Sequence, residues 1–299
     1  MNSAKEDFRV ATPGFAIVDA HQHFWDPTLN YHPWLNDAPP IPFRYGDYHA
    51  LRRRYLPPDY LRDAAGFQVE RSVYVETEWD PADPVGEMRY VDQLRREHGL
   101  PTVAVAQARL DRDDAAQVLE QQAAFPFVRS VRHKPPAGAM GDARWRAGFA
   151  VLARCNLRFD LQTQWRYLAE AARLAVDFAD TQIILNHAGL PADRRPAGIA
   201  GWKRAMRTFA ACPNAAVKIS GLGQAGKPWT VEANRDIVRT VIDVFGVQRC
   251  MFASNFPVDR LCATFGTIFD GFREIVRDLS AVEQRALFYD NAIRIYGME

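Results

Sequence analysis

A single (β/α)8 barrel of the TIM type is the fold this 299-residue sequence predicts, and three observations predict it. Eight short runs rich in β-branched residues recur along the chain, segments of helical period separate them, and no Gly/Ser-rich or charged linker breaks the alternation. An open doubly wound sheet would also alternate, but no glycine fingerprint follows the first run. The barrel is expected over residues 15–299, behind an N-terminal tail over 1–14.

The first run, "FAIVDAH", ends on His21, and His23 follows it. A period of two sets both imidazoles on the face of Ile17 and Asp19, where they can converge on one ion at the barrel mouth. The connection after them, "FWDPTLNYHPWLNDAPPIPFRYGDYHALRRRYLPPDY", is far longer than an ordinary βα loop and crowded with proline and aromatic residues. It reads as a lid over the mouth, with Trp25, Tyr31 and Trp34 walling the site; the other use for such a loop is packing against a second copy in a homo-oligomer.

"RSVYVET" is the second strand and carries Glu76 and Glu78 at its end; the helical "GEMRYVDQLRREHG" follows. "TVAVAQA" and the helix "DDAAQVLEQQAAF" come next. The fourth strand, "FVRSVRH", runs into Lys134, so Arg132, His133 and Lys134 reach the mouth together and suit an anionic substrate. Arg132 alternates away from His133, and an ion pair with a carboxylate is its other use. In "LRFDLQ", Asp160 and Gln162 are spaced to hydrogen-bond sugar hydroxyls, and the helix "YLAEAARLAVDFA" follows. "QIILNH" ends on His187, a third nitrogen for an ion or a donor to a substrate carbonyl. "AAVKIS" brings Lys218, and Gly221 and Gly223 let the backbone approach a ligand closely. The helix "EANRDIVRTVIDVFG" gathers Ile237, Val238, Val241, Ile242 and Phe245 on one face before Gly246. "RCMFAS", the eighth run, leads to Asn255 and Asp259.

Composition narrows the partners. Lys and Arg total 37 against 36 Asp and Glu, with no basic block beyond Arg52, Arg53 and Arg54, which argues against nucleic acid. No run of about 18 apolar residues is present to span a membrane, and the opening "MNSAKEDFRVATPG" has no apolar signal core. The four cysteines are scattered without a C-x-x-C pair and suit a reducing cytoplasm. A small molecule is the expected partner.

Five segments in order, "VDAHQHFWDPTLNYHPWL", "YLPPDYLRDAAGFQVERSVYVET", "SVRHKP", "NHAGLP" and "FASNFPV", resemble the amidohydrolase superfamily. The likeness is to its sugar-acid lactonases, of the fuconolactonase and rhamnonolactonase kind, and to the related pyrone-dicarboxylate lactonase. The resemblance implies a barrel that opens a cyclic ester with water, often using a divalent metal, zinc here, held by His21 and His23 with His187, and sometimes using no metal. One position departs: the superfamily pattern ends its eighth strand on an aspartate that takes a proton from the attacking water, and this chain has Asn255 there. Asparagine accepts a hydrogen bond but not that proton. The base is then sought first at His187 and Asp259, and next at Glu76, Glu78 and Asp160. Trp25, Arg132, His133, Lys134, Asp160 and Gln162 are the expected substrate contacts. The resulting expectation is a hydrolase acting on a lactone or organic acid. The alternatives are a metal-dependent decarboxylase of an unsaturated or aromatic acid and a sugar-acid-binding barrel that has lost catalysis.

Overall fold

The computed structural model describes residues 16–299, so the predicted tail over 1–14 lies outside the described residues. Eight parallel strands form one sheet in sequential order. They are β1 (Ile17–Gln22), β2 (Val69–Val75), β3 (Val103–Gln107), β4 (Val128–His133), β5 (Arg158–Leu161), β6 (Ile183–Leu185), β7 (Ala215–Ile219) and β8 (Cys250–Phe252). The end of β8 returns to β1, where Asn255 N donates to His21 O and His23 N donates to Phe256 O, both at 2.8 Å. Asp19 reinforces this seam: it accepts from Ser254 N at 2.8 Å, Ser254 Oγ at 2.6 Å and Tyr60 Oη at 2.8 Å. The predicted (β/α)8 barrel is therefore the observed fold.

The long connection after β1 contains α1 (Pro33–Asn36) and a 3-10 turn (His49–Leu51) before α2 (Pro57–Asp63). The outer layer continues with α3 (Gly86–His98), α4 (Ala115–Ala123), α5 (Ala143–Arg154), α6 (Leu168–Asp177), α7 (Pro196–Ala210), α8 (Val231–Phe245) and α9 (Phe265–Ile275). Trp145, Phe149, Trp202, Phe209 and Phe272 fill the space between helices and sheet. Each such side chain contributes about 1.5–3 kcal/mol by leaving water.

A second core fills the barrel itself. Val18, Ala20, Val73, Val75, Ile184, Ala216 and Met251 meet Ile295, Tyr296 and Met298 from the C-terminal segment, which includes α10 (Ala281–Arg285) and α11 (Asn291–Tyr296). Arg71 and Arg129, at the starts of β2 and β4, donate to Met298 O and Gly297 O, so the chain end seals the amino-terminal opening. Among the described residues, the carboxyl ends of the strands are left open to ligands.

One sequence expectation needs correction here. Ile17 packs in the outer core and Asp19 bonds Tyr60 of α2, while Val18 and Ala20 face the barrel interior. A register shift against β2 between Asp19 and Gln22 interrupts the period of two. It turns His21 and His23 inward without placing them on the face of Ile17 and Asp19.

Candidate active site

At the carboxyl ends of the strands lies a cavity of about 300 Å³. Its polar floor is made by His23, Glu76, Arg132, Gln162, His187 and Asn255, each from a different strand end. Its wall is the long β1–β2 connection, which supplies Trp25, Trp34, Ile41, Phe43 and Arg44. That wall is tied down. Trp25 Nε1 donates to Arg53 O at 2.9 Å, Trp34 Nε1 donates to Thr77 O at 2.8 Å, and Trp34 stacks on Phe43 with ring centroids 5.8 Å apart. Tyr31, expected beside them, is instead 42% exposed and bonded to Asp37. The aromatic wall is thus pre-formed, with hydrogen bonds fixing both indoles.

Three histidines cluster beneath it. The His21 ring centroid is 4.9 Å from that of His23 and 4.6 Å from that of His187. His23 Nδ1 donates to Val75 O at 2.7 Å, the tautomer a carbonyl partner requires, which leaves Nε2 with a lone pair near the Asn255 side chain. Burial, and then the Arg132 charge, lower its pKa to about 3. His21 is fully buried, and neither ring nitrogen has a hydrogen-bond partner among the described residues. Burial and the nearby Lys218 charge hold it neutral. His187 Nδ1 lies 2.9 Å from Ser220 Oγ, and burial followed by Arg44 lowers its pKa well below the usual histidine range. The Ser220 hydroxyl can donate or accept, so His187 Nε2 is free to take a proton or to give one back.

Backbone strain marks the same site. Glu78, His187, Leu190 and Asn255 all line the cavity with φ between 54° and 58°. Such left-handed residues cost on the order of 1–3 kcal/mol each and persist where the surroundings impose them. Gly221, at φ 62°, shows how tightly: a Cβ there would lie 2.7 Å from His187 Nδ1 and 2.8 Å from Arg44 Nη2. The close approach expected at this glycine is made to His187 and Arg44.

Asn255 Nδ2 donates to Asp259 Oδ1 at 2.6 Å, and the same oxygen accepts from Tyr45 Oη at 2.8 Å, with Arg44 Nη2 at 3.7 Å. Asp259 is 1% exposed and lies behind Asn255, outside the cavity lining. Burial raises its pKa against the opposing pull of Arg44 and Asn255. Its geometry is that of a group holding Asn255 in place.

The basic cluster divides. Arg132 points inward but is engaged by Glu76 and by Gln162, the latter at 2.9 Å. Lys134 pairs with Glu78 at the cavity edge. His133 turns outward, where its Nδ1 accepts from Trp145 Nε1 of α5 at 3.0 Å, and burial lowers its pKa to about 4. Asp160 does not reach the cavity either. It is saturated inside the barrel by Ser130 at 2.7 Å, Asn186 at 2.8 Å, Tyr296 at 2.9 Å and the ammonium of Lys218 at 2.7 Å. Both corrections follow from strand alternation: adjacent residues face opposite layers, and Asp160 sits one pleat deeper than Gln162.

Arg44, Phe43 and Ser220 were not foreseen; Arg44 and Phe43 come from an aperiodic loop that carries no pattern of facing. Glu87, in the first turn of α3, was also missed. Its Oε1 accepts from Thr77 N at 2.7 Å, Thr77 Oγ1 at 2.8 Å and Tyr74 Oη at 2.9 Å, fixing the end of β2 beneath the cavity.

The histidine chemistry fits a divalent ion, which needs neutral imidazoles, in the sense that His21 and His23 both present uncommitted nitrogens. Among the described residues, no group of three or more His, Cys, Asp or Glu side chains is arranged to hold a metal ion. The pair, and not a closed cage, is what fits.

The amidohydrolase family profile matches residues 18–298. An uncharacterized protein of Sinorhizobium fredii is 39% identical over 293 residues, which cover 94% of this chain and 98% of that protein. An L-fucono-1,5-lactonase of Burkholderia multivorans is 26% identical over 306 residues, covering 95% of this chain and 97% of that enzyme. The crystal structure of an amidohydrolase from Burkholderia multivorans with bound HEPES matches with a TM-score of 0.81 at 25% identity, over 95% of this chain and all of that one. A second crystal form, with bound zinc, matches with the same score at 24% identity, over 95% of this chain and 100% of that chain.

Proposed function

The chain belongs to the amidohydrolase family, and from that premise we propose that it hydrolyses a lactone, either of a sugar acid or bearing a carboxylate, with His187 handling the proton. The observation that carries this reading is His187, poised on the Ser220 hydroxyl, at the floor of an aromatic-walled cavity lined by hydrogen-bonding groups. The lactonase named among the relatives supports the substrate class.

The indole and phenyl faces of Trp34 and Phe43 pack on the lactone ring and exclude bulk water. Glu76 and Gln162 meet ring hydroxyls, and Arg132, fixed by its two partners, offers donors without reorganising. His187 Nε2 takes a proton from the attacking water as its oxygen bonds to the carbonyl carbon. The ring C–O bond then breaks, and His187 returns the proton to the departing alkoxide, leaving a hydroxy acid. Lys134 and Arg44 stand at the cavity for the new carboxylate. A divalent ion, zinc by analogy with the Burkholderia multivorans structure, would be held by His21 and His23 and when bound would supply Lewis-acid polarisation of the carbonyl.

Screening aldonolactones and unsaturated lactones with a pH indicator, on protein whose zinc and manganese content is measured in parallel, tests this. Turnover of at least one lactone is expected. No ring opening at any metal loading would reject it.

A further inference from the structure

Across the side chains of Arg44 and Leu190, which border both spaces, the catalytic cavity adjoins a second one of about 460 Å³. It lies among the segments that follow β5, β6 and β7, and its charge is one-sided. Arg44, Arg166, Arg194 and Lys227 line it, against the single acid Asp193. That acid is engaged by Arg195, with both bonds at 2.9 Å, and the contact lowers its pKa to about 2.

Arg194 is the built part of this chamber. Its Nη1 donates to Ala233 O at 3.3 Å, and its Nη2 donates to Leu222 O at 3.1 Å and to Asn234 Oδ1 at 3.2 Å. All three partners are neutral oxygens. Its Nε is buried without a hydrogen-bond partner among the described residues. The side chain is therefore anchored in place while its charge stays uncompensated. Arg166 is spread over the Trp165 ring at 4.7 Å, and its hydrogen bond is to the neutral Gln164 amide at 3.5 Å. One guanidinium lies over an indole and a second is pinned by neutral oxygens, so the chamber wall carries two cations with no carboxylate partner among the described residues, a charge that suits carboxylate or phosphate oxygens.

We propose that this chamber binds an anionic group, a carboxylate or a phosphate, carried on the same substrate whose ring occupies the catalytic cavity. Arg44 stands between the two spaces and touches both. The ring cavity is nearly charge-balanced by its Arg132–Glu76 and Lys134–Glu78 pairs, so it suits a neutral, hydroxylated ring, while the excess of cations next door suits a charged substituent. The inference rests on the lactone reading for the identity of the ring, and on the chamber alone for the anion.

Calorimetric titration of the full chain at low salt, with inorganic pyrophosphate and separately with citrate as probes, decides it. At least one probe is expected to bind, the tighter of the two identifying phosphate or carboxylate as the preferred group. The double variant Arg166→Gln/Lys227→Gln, at two exposed positions outside the barrel core, should raise Kd by about tenfold or more, as loss of charge-assisted bonds requires. His187→Gln should leave Kd unchanged. Arg194→Lys, which keeps the charge but loses the fork, should weaken binding as well.

Failure of both probes to bind would overturn the proposal. So would binding that survives the double variant and disappears with His187→Gln, because the anion would then sit in the catalytic cavity. Binding in the chamber by a protein that opens no lactone would uphold the anion site and sink the lactone reading instead.

Discussion

In the proposed hydrolysis the chemistry turns on His187 and Asn255, and both hold left-handed backbone conformations at strand ends. With Ser220 at 2.9 Å on Nδ1, only Nε2 of His187 is left for a substrate or water. His187→Gln keeps a hydrogen-bonding group in nearly the same volume but abolishes proton transfer. It is expected to lower kcat by a factor on the order of 10² to 10⁴ with little change in KM, measured by initial rates on the best lactone. An equal rise in KM with unchanged kcat would make His187 a binding group. His21, His23 and His187 could be named from sequence because strand ends at a barrel mouth converge, and Asn255 because that position departs from the pattern of the superfamily the segments resemble. The facing of their neighbours could not. His133 and Asp160 were expected at the substrate, and they lie in the outer and inner packing layers because the pleat decides sides residue by residue.

The order of strands and helices was legible because half-buried strands and amphipathic helices leave distinct periods in the sequence. The irregular pieces were not, and they shape the site. The register shift in β1 brings two histidines inward, and the loop after β1 delivers Arg44 and Phe43 with no period to announce them. The segment after β7 gives a test of such a piece. Gly221→Ala places a methyl group 2.7 Å from His187 Nδ1 at a φ of 62°, so it combines backbone strain with displacement of the imidazole. A strain of about 1 kcal/mol or more in stability, read as a lower Tm, should accompany a loss of kcat. Full activity in Gly221→Ala would show that the His187–Ser220 geometry does not matter to turnover.

At the scale of the whole molecule, the barrel keeps its amino-terminal end for stability and its carboxyl end for function. At that carboxyl end, Glu87 anchors the end of β2 from the first turn of α3. Burial, and then the Glu76 charge, raise its pKa to about 7 from 4.5. A raised carboxyl pKa means that the folded chain holds this proton more tightly than the unfolded one. Glu87 therefore makes the fold lose stability as pH rises from about 4.5 to about 7, at up to about 1.4 kcal/mol per pH unit, and adds no further loss above that. Glu87→Gln, which leaves the acceptor for Thr77 and Tyr74, should flatten that part of the stability-pH curve in denaturant titrations. An unchanged slope would mean Glu87 is ionised throughout.

In the proposed hydrolysis, proton handling rests with His187 and not with the end of β8. Asn255→Asp tests it most directly. The new carboxyl would lie against Asp259, whose oxygen now accepts from Asn255 Nδ2 at 2.6 Å, and two carboxyls in contact share a proton and make a poor base. The kcat/KM of Asn255→Asp on the best lactone should stay within about tenfold of the wild type, or roughly 1.4 kcal/mol of barrier. A gain above about a hundredfold would contradict the account, because the β8 position would then be the missing base.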